Sequence, residues 1–159
     1  MKMDYTVRPL RKSEYPLLED FLYEAIFIPE GADPPLREIV RLPELQVYVE
    51  NFGSRKSDIA LCAEVSGRAV GAVWGRIMND YGHIDDETPS LAIALYKEYR
   101  GCGIGTALMR AVIEAYSAKG FKRLSLAVQK ANYAVKLYEK AGFSVVSEND
   151  EEYIMQVIV

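Results

Sequence analysis

The feature that most restricts this chain is a glycine-rich segment between a short apolar run and a long amphipathic pattern. The apolar run at 91–96 predicts a buried strand, and the pattern at 103–119 predicts a helix because its apolar residues recur at helical spacing. Between them lies Tyr99-Arg100-Gly101-Cys102-Gly103-Ile104-Gly105-Thr106. A strand that turns tightly into a helix indicates a fold that mixes the two elements.

The rest of the chain predicts a mixed order of strands and helices. Ser13 is expected to cap the first helix, Pro43 to divide the second, and Gly71 and Gly75 to mark a bulge. No repeat or linker interrupts the pattern, so we expect one α/β or α+β domain over 1–159 with helices on both faces of a sheet. Strands are predicted at 4–9, 58–65, 69–78, 123–129, 143–147 and 153–159, and helices at 14–28, 36–52 and 132–140.

Composition restricts the compartment and the partners. Half of the residues are hydrophobic, enough for a core without disulfides or metal. The two cysteines, Cys62 and Cys102, lack zinc-site spacing and predict a reducing compartment, the cytoplasm. Residues Met1 to Arg8 lack the apolar run of a signal peptide, and no stretch approaches the roughly 20 apolar residues that span a bilayer. A net charge of −4 disfavours nucleic acid as a partner and can attract a cationic ligand.

The glycine segment has the chemistry of an anion site. Glycine lets the backbone approach a ligand closely, and the first turn of a helix presents unpaired N–H groups at the positive end of the helix dipole. Such a site suits a phosphate or pyrophosphate, although a tight turn without a ligand stays open. A P-loop would need lysine after Gly105, where Thr106 stands. A dinucleotide fingerprint would need glycine or alanine at Thr106 and an acidic residue at Gln129.

The remaining pattern is Arg-x-x-Gly-x-Gly, formed by Arg100, Gly103 and Gly105. It resembles the loop with which the GCN5-related N-acetyltransferase (GNAT) superfamily binds the pyrophosphate of acetyl-CoA. The segment 132–143 is similar to the second acetyl-CoA motif of this superfamily. Asn132 stands before the helix, followed by Tyr138 and a closing Gly-Phe pair. A helix cap and a core stripe explain most of these positions, but not their pairing with the upstream loop.

The resemblance covers nearly the whole chain and implies both a fold and an activity. The implied fold has a mixed, mostly antiparallel central sheet of about seven strands with helices on both faces. The implied activity is acetyl-CoA-dependent N-acetyl transfer to a primary amine, by direct attack in a ternary complex and without a metal. The acceptor is either a small-molecule amine or a peptide or protein amine. The strand at 153–159 is compatible with a homodimer.

The resemblance also implies roles for particular residues. Tyr138 is expected to protonate the departing thiolate, because an ordinary tyrosine pKa of about 10 lies near that of a thiol, about 8.5. Backbone groups of Leu95 and Tyr96 are expected to hold the pantetheine arm in a slot formed where the strand at 91–96 splays from the strand at 123–129. The expected cofactor-binding residues are Leu95, Tyr96, Arg100, Gly101, Cys102, Gly103, Ile104, Gly105, Thr106, Asn132 and Tyr138.

Two questions stay open at this point: which residue is the general base, and whether the chain catalyses acetyl transfer. Glu87 is the candidate base, with Asp86 beside it, while His83 or a water relay are alternatives. Cys102 is not expected to act as a nucleophile, because direct attack is the usual route in the superfamily. A catalytically silent acyl-CoA sensor, a purely structural domain or a transferase of another acyl group are the competing interpretations.

Overall fold

The computed structural model describes residues 4–159, and one seven-stranded sheet runs through them. The spatial order is β1-β2-β3-β4-β5-β7-β6, and every neighbouring pair is antiparallel except β4 and β5. The predicted mixed, mostly antiparallel sheet is therefore confirmed. The prediction that residues 1–8 are not a signal peptide concerns a segment that lies partly outside the described residues. The strands are β1 Thr6–Pro9, β2 Ile59–Val65, β3 Arg68–Arg76, β4 Ser90–Leu95, β5 Arg123–Gln129, β6 Ser144–Glu148 and β7 Glu152–Ile158.

Helices cover both faces of the sheet, as expected. On one face Leu108, Val112 and Tyr116 are fully buried against the strands. On the other face Phe21 joins a second core around Trp74. The sheet is therefore buried on both sides, which places any internal gap between two helical layers. The helices are α1 Leu17–Ala25, α2 Pro43–Gln46, α3 Ile104–Ala118 and α4 Ala134–Lys140. None of the helices within residues 4–159 is long and apolar enough to cross a bilayer.

The first helix is shorter than predicted. It begins at Leu17, after a separate 3₁₀-helix at Lys12–Glu14, and ends at Ala25. The expected cap at Ser13 was wrong, because Pro16 occupies the cap position and no side chain caps the helix. Glu14 instead accepts a hydrogen bond of 2.8 Å from the Arg11 N–H group.

The second predicted helix was largely wrong. The segment forms a 3₁₀-helix at Arg37–Arg41, then the single turn of α2, then turns up to residue 53. Pro43 begins α2 rather than dividing a longer helix, because proline has no N–H group to lose in the first turn. Asn51 and Gly53 have positive φ angles of 50° and 97°, which a continuing helix cannot contain.

The hairpin between β2 and β3 forms as predicted. Its turn residues Ser66 and Gly67 both have positive φ angles, 50° and 80°, as in the type I′ turns that match strand twist. The register shifts where Ala63 pairs with Gly71, so the bulge lies beside Gly71. Gly75 pairs regularly with Ile59, and it is not part of the bulge. Two neighbouring side chains instead approach its backbone closely. A β-carbon there would lie 2.7 Å from both a Leu91 methyl and the Tyr116 hydroxyl.

The sheet opens in its middle, between β4 and β5. These strands pair at one position, Ser90 with Ser125, where the Ser125 N–H group donates to Pro89 O at 2.9 Å. The neighbouring antiparallel ladders, β3–β4 and β5–β7, are paired along the full length of β4 and β5. The two central strands therefore diverge toward their carboxyl ends and leave a gap through the sheet.

Candidate functional site

The glycine segment lies at the carboxyl end of β4, beside the mouth of the gap. A 3₁₀-helix at Lys97–Tyr99 leads into it, and α3 begins at Ile104. Gly101 and Gly103 have φ angles of 75° and 85°, and nothing within 4 Å would obstruct a β-carbon at either. These two positions require glycine for backbone conformation rather than for space.

The six backbone N–H groups from Gly101 to Thr106 have no acceptor within residues 4–159. The first amide that pairs is that of Ala107, which donates to Gly103 O at 3.2 Å. Gly103 has no side chain with which to cap α3, and the first turn contains no acidic residue. The loop therefore presents an uncompensated positive surface that can bind an anion.

The Arg100 side chain is engaged within the protein. Its Nε donates to Leu95 O at 3.0 Å, and its Nη2 lies 3.3 Å from Glu24 Oε2. These contacts tie the loop to β4 and to the end of α1. A direct phosphate contact by Arg100 stays a prediction, because it would compete with the ion pair to Glu24.

The gap contains a cavity of about 260 Å³ that crosses the sheet. Ile26 and Leu45 line it from the α1 side, and Met109 and Leu126 line it from the α3 side. Two of the predicted site residues, Asn132 and Tyr138, lie on its wall. The structure thus brings the second motif to the point where the two central strands separate.

The register of β4 shows which backbone groups face the gap. The Tyr96 N–H group donates to Val70 O on β3 at 3.0 Å. Since backbone groups alternate between the two sides of a strand, those of Ile93 and Leu95 point toward β5. Leu95 therefore has the orientation expected of it, whereas the N–H group of Tyr96 does not. Ile93, which the sequence reasoning did not single out, has backbone groups that also face the gap.

Tyr138 is nearly buried, with 8% of its surface exposed. Its ring packs near Phe143, with 6.1 Å between the ring centroids. Within the described residues no hydrogen bond acts on its hydroxyl. Burial raises the pKa of Tyr138 to about 12, so the hydroxyl is protonated at neutral pH.

A hydrogen-bonded network closes the paired end of the gap. The Tyr48 hydroxyl donates to Asp80 Oδ2 at 3.0 Å, and the Ser90 hydroxyl donates to Asp80 Oδ1 at 2.9 Å. The Ser125 hydroxyl donates to Gly82 O at 2.8 Å. Burial, and then the charge of Asp80, raise the pKa of Tyr48 well above its ordinary value. The network holds Tyr48, which lines the cavity, in one orientation.

Glu152, the first residue of β7, is a cavity residue that sequence reasoning missed. It pairs with Gln129 across the sheet, and Gln129 also lines the cavity. Burial, and then the charge of Glu151, raise the pKa of Glu152. The local sequence around Glu152 is a run of polar residues at a turn, so no signal short of the strand register could have identified it.

The other candidates from the sequence do not lie on the cavity wall. Glu87 is exposed, and its N–H group donates to Asp85 Oδ1 in the loop before β4. His83 has its Nε2 3.3 Å from Asp86 Oδ1, while its Nδ1 is buried without a partner among the described residues. The Cys102 thiol lies 3.6 Å from Arg100 O. Residues 4–159 contain no group of three or more His, Cys, Asp or Glu side chains placed to hold a metal.

Comparison with known proteins gives a consistent result. A model described as the Acetyltransferase (GNAT) family matches residues 20–143. The chain is 38% identical over 68 residues to the [Ribosomal protein bS18]-alanine N-acetyltransferase of Haemophilus influenzae, covering 43% of this chain. It is 33% identical over 112 residues to an N-alpha-acetyltransferase of Sulfurisphaera tokodaii, covering 58% of this chain. The chain spans 47% and 65% of the length of these two relatives.

Solved structures share the fold over the whole described sheet. A PaiA N-acetyltransferase from Thermoplasma acidophilum, in complex with coenzyme A, has a TM-score of 0.72 at 20% identity, covering 99% of this chain and 100% of that one. A GNAT-family acetyltransferase from Streptococcus pneumoniae has a TM-score of 0.69 at 23% identity, covering 98% of this chain and 100% of that one. At these identities the likeness establishes the fold alone.

Proposed function

Because the chain belongs to the acetyltransferase (GNAT) family, we propose that it transfers an acetyl group from acetyl-CoA to a primary amine within a ternary complex. The observation that carries the proposal is the row of six unpaired amides from Gly101 to Thr106, beside a cavity that crosses the sheet. The names of the relatives, all acetyltransferases, support the same reaction class.

The residues present fit the pyrophosphate and the pantetheine arm of coenzyme A. The amides from Gly101 to Thr106 would bind the pyrophosphate, because they combine free donors with the positive end of α3. The backbone groups of Ile93 and the N–H group of Leu95, which face β5, would pair with the amides of the pantetheine arm, while Leu95 O accepts from Arg100 Nε. Acetyl-CoA, when bound, supplies the thioester whose acyl group is transferred.

The Tyr138 side chain would hold a proton for the leaving thiolate. Its hydroxyl is protonated at neutral pH, no hydrogen bond acts on it among the described residues, and the residue lies on the cavity wall. Asn132 would act by position, since its Oδ1 accepts from the Ala134 N–H group at 2.9 Å and fixes the turn that begins α4. Both motif residues thus act from the same wall.

The acceptor would enter from the α1 side, where the cavity wall includes Phe27 and Tyr48 as well as the Glu152 carboxylate. Aromatic side chains beside a carboxylate suit the cationic amine group of an acceptor. Both acceptor classes expected from the sequence, small-molecule amines and peptide or protein amines, meet this description.

The proposal is tested by binding and turnover. We expect coenzyme A to raise the melting temperature of the purified protein, because a ligand that binds only the folded state stabilises it. Release of free thiol from acetyl-CoA should then depend on the amine added from a panel of polyamines, amino acids, aminoglycosides and short peptides. Coenzyme A binding without amine-dependent release of thiol would favour an acyl-CoA sensor. Thiol release only from acyl-CoAs longer than acetyl-CoA would show that the donor carries another acyl group. Absence of both binding and release would contradict the proposal.

Tyr138→Phe should lower kcat by about 10²-fold, the usual contribution of a positioned acid. The dissociation constant for coenzyme A should stay within about twofold, because the ring and its packing against Phe143 are retained. Steady-state kinetics and calorimetry measure the two effects. Tyr133→Phe is the matched control, since Tyr133 stands five residues earlier, at the N-cap of α4, and is 77% exposed. An unchanged kcat in Tyr138→Phe would remove this hydroxyl from the mechanism.

A further inference from the structure

The register of the sheet places Glu152 on the face from which the acceptor would enter. Leu126 and Val128 of β5, with their partners Met155 and Tyr153 of β7, belong to the core beneath α3 and α4. Side chains alternate between the faces of a strand, and directly paired residues share a face. Glu152 and its partner Gln129 therefore lie on the opposite face, toward α1.

The Glu152 carboxylate is free to act on a ligand. Within residues 4–159 it forms no salt bridge and accepts no side-chain hydrogen bond. It shares the cavity wall with Tyr48 and Tyr138, and its charge contributes to the raised pKa of Tyr48. A partly buried carboxylate that lines a cavity and has no partner within residues 4–159 is available to a ligand, which indicates a role toward one.

The other carboxylates near the gap are already engaged or lie elsewhere. Both oxygens of Asp80 accept hydroxyl hydrogen bonds, from Ser90 and from Tyr48. Glu87 is exposed and is not part of the cavity wall. Glu24 is paired with Arg100. Glu152 is thus the cavity carboxylate that remains available in the described part of the chain.

We propose that Glu152 is the general base that removes a proton from the acceptor ammonium group, an inference that rests on the acetyl-transfer function proposed above. One N–H bond of the ammonium breaks, its electron pair stays on nitrogen, and the proton binds a carboxylate oxygen of Glu152. A cation and an anion become two neutral groups, a change that the partial burial of the carboxylate favours. The neutral amine then has the lone pair needed to attack a carbonyl carbon.

Several groups besides Glu152 can influence a pH profile measured on this site. Tyr48 follows α2, Asp80 lies in the loop before β4, Tyr138 is on α4, and Glu151 precedes Glu152. The hydroxyls of Tyr48 and Tyr138 have pKa values raised by burial and stay neutral through the useful pH range. Lys130, on the connection from β5, lies 3.5 Å from Glu148 rather than at Glu152.

Glu152→Gln tests the proposal against Glu151→Gln, which removes the same charge from the exposed neighbouring residue. The probes are spermidine and an alanine-initiated hexapeptide with acetyl-CoA. At pH 7 we expect Glu152→Gln to lower kcat/KM by about 10²-fold. This deficit should shrink as the pH approaches the pKa of the amine, because free neutral amine then no longer needs a base. Glu151→Gln should stay within about twofold, and both variants should bind coenzyme A like the wild type.

Calorimetry of each amine with coenzyme A-saturated protein separates failure of this proposal from failure of the proposed function. Equal kcat/KM in Glu152→Gln and wild type would overturn the role of Glu152 and leave acetyl transfer standing. If the wild type acetylated neither amine, the calorimetric binding of the amines would decide whether Glu152 contacts the ammonium group. Amine binding that weakens at least about tenfold in Glu152→Gln, but not in Glu151→Gln, would support the ammonium contact. Amine binding that is absent or equal in all three proteins would overturn it.

Discussion

Replacing Asp58 with alanine should lower the free energy of unfolding by about 3–5 kcal/mol, because it leaves a buried arginine without its counter-charge. The Arg76 side chain is fully buried and that of Asp58 is 1% exposed. The pair is bidentate, with Nε to Oδ1 and Nη2 to Oδ2 both at 2.9 Å. The remaining guanidinium nitrogen, Nη1, donates to Val47 O at 3.1 Å and to Glu50 O at 2.8 Å.

Denaturant unfolding of three further variants shows whether the loss comes from the unpaired charge. Asp20→Ala breaks a half-exposed pair with Arg37 and should cost less than about 1 kcal/mol. Asp58→Ala combined with Arg76→Met should recover much of the stability, because no charge is then buried. Arg76→Met alone should be strongly destabilising, since Asp58 then keeps only the Gly53 and Arg55 amides as donors. A loss in Asp58→Ala as small as that in Asp20→Ala would contradict the argument.

This ion pair also matters for the site. Arg76 at the end of β3 and Asp58 before β2 fix the irregular segment 47–55 onto the sheet. The same segment contains Tyr48, whose backbone carbonyl accepts from Trp74 Nε1 at 3.1 Å and whose ring lines the cavity. Long-range polar contacts thus fix the position of this turn-rich segment, and with it the α1 side of the cavity wall.

The regular elements could be predicted because their signals are local. The bounds of β5 agree with the prediction, and α3 begins and ends within one residue of it. Apolar spacing identifies such elements, and the glycines at 103 and 120 mark the ends of α3. The segment 36–52 could not be predicted in the same way. Its helical propensity is overridden by Pro43, by the positive φ angles near residue 51, and by contacts to Arg76, far along the chain.

The site residues likewise fall into two groups, those that local motifs indicate and those that only long-range contacts place. The glycine loop, Asn132 and Tyr138 belong to contiguous motifs, and their residue types indicate their chemistry. The orientation of the Ile93 backbone, the pairing of Arg100 with Glu24 and the position of Glu152 arise from register and from contacts across the fold. Glu87 precedes β4 in sequence, but the loop leaves its side chain in solvent. Which carboxylate lies beside the cavity therefore depends on strand pairing, and a single sequence does not determine strand pairing.

Gly103→Val should weaken coenzyme A binding by at least about 10²-fold. Gly103 has a φ angle of 85°, and a β-branched residue there costs about 1–3 kcal/mol of strain, which the loop relieves by leaving its present conformation. The unpaired backbone N–H groups of residues 101–106 then no longer keep the arrangement in which they would bind the pyrophosphate. Each hydrogen bond to a charged group contributes about 1.5–3 kcal/mol, so losing two accounts for the effect. Calorimetric titration with coenzyme A measures it.

Gly120→Val is the matched control, because Gly120 stands at the other end of the same helix with a φ angle of 90° and equally open space for a side chain. Backbone strain of the same kind should give the two variants similar losses of melting temperature. Coenzyme A affinity should fall in Gly103→Val and stay within about twofold of wild type in Gly120→Val. If both variants lost affinity equally, the effect would come from destabilising α3. If neither did, the unpaired amides would not be the pyrophosphate site.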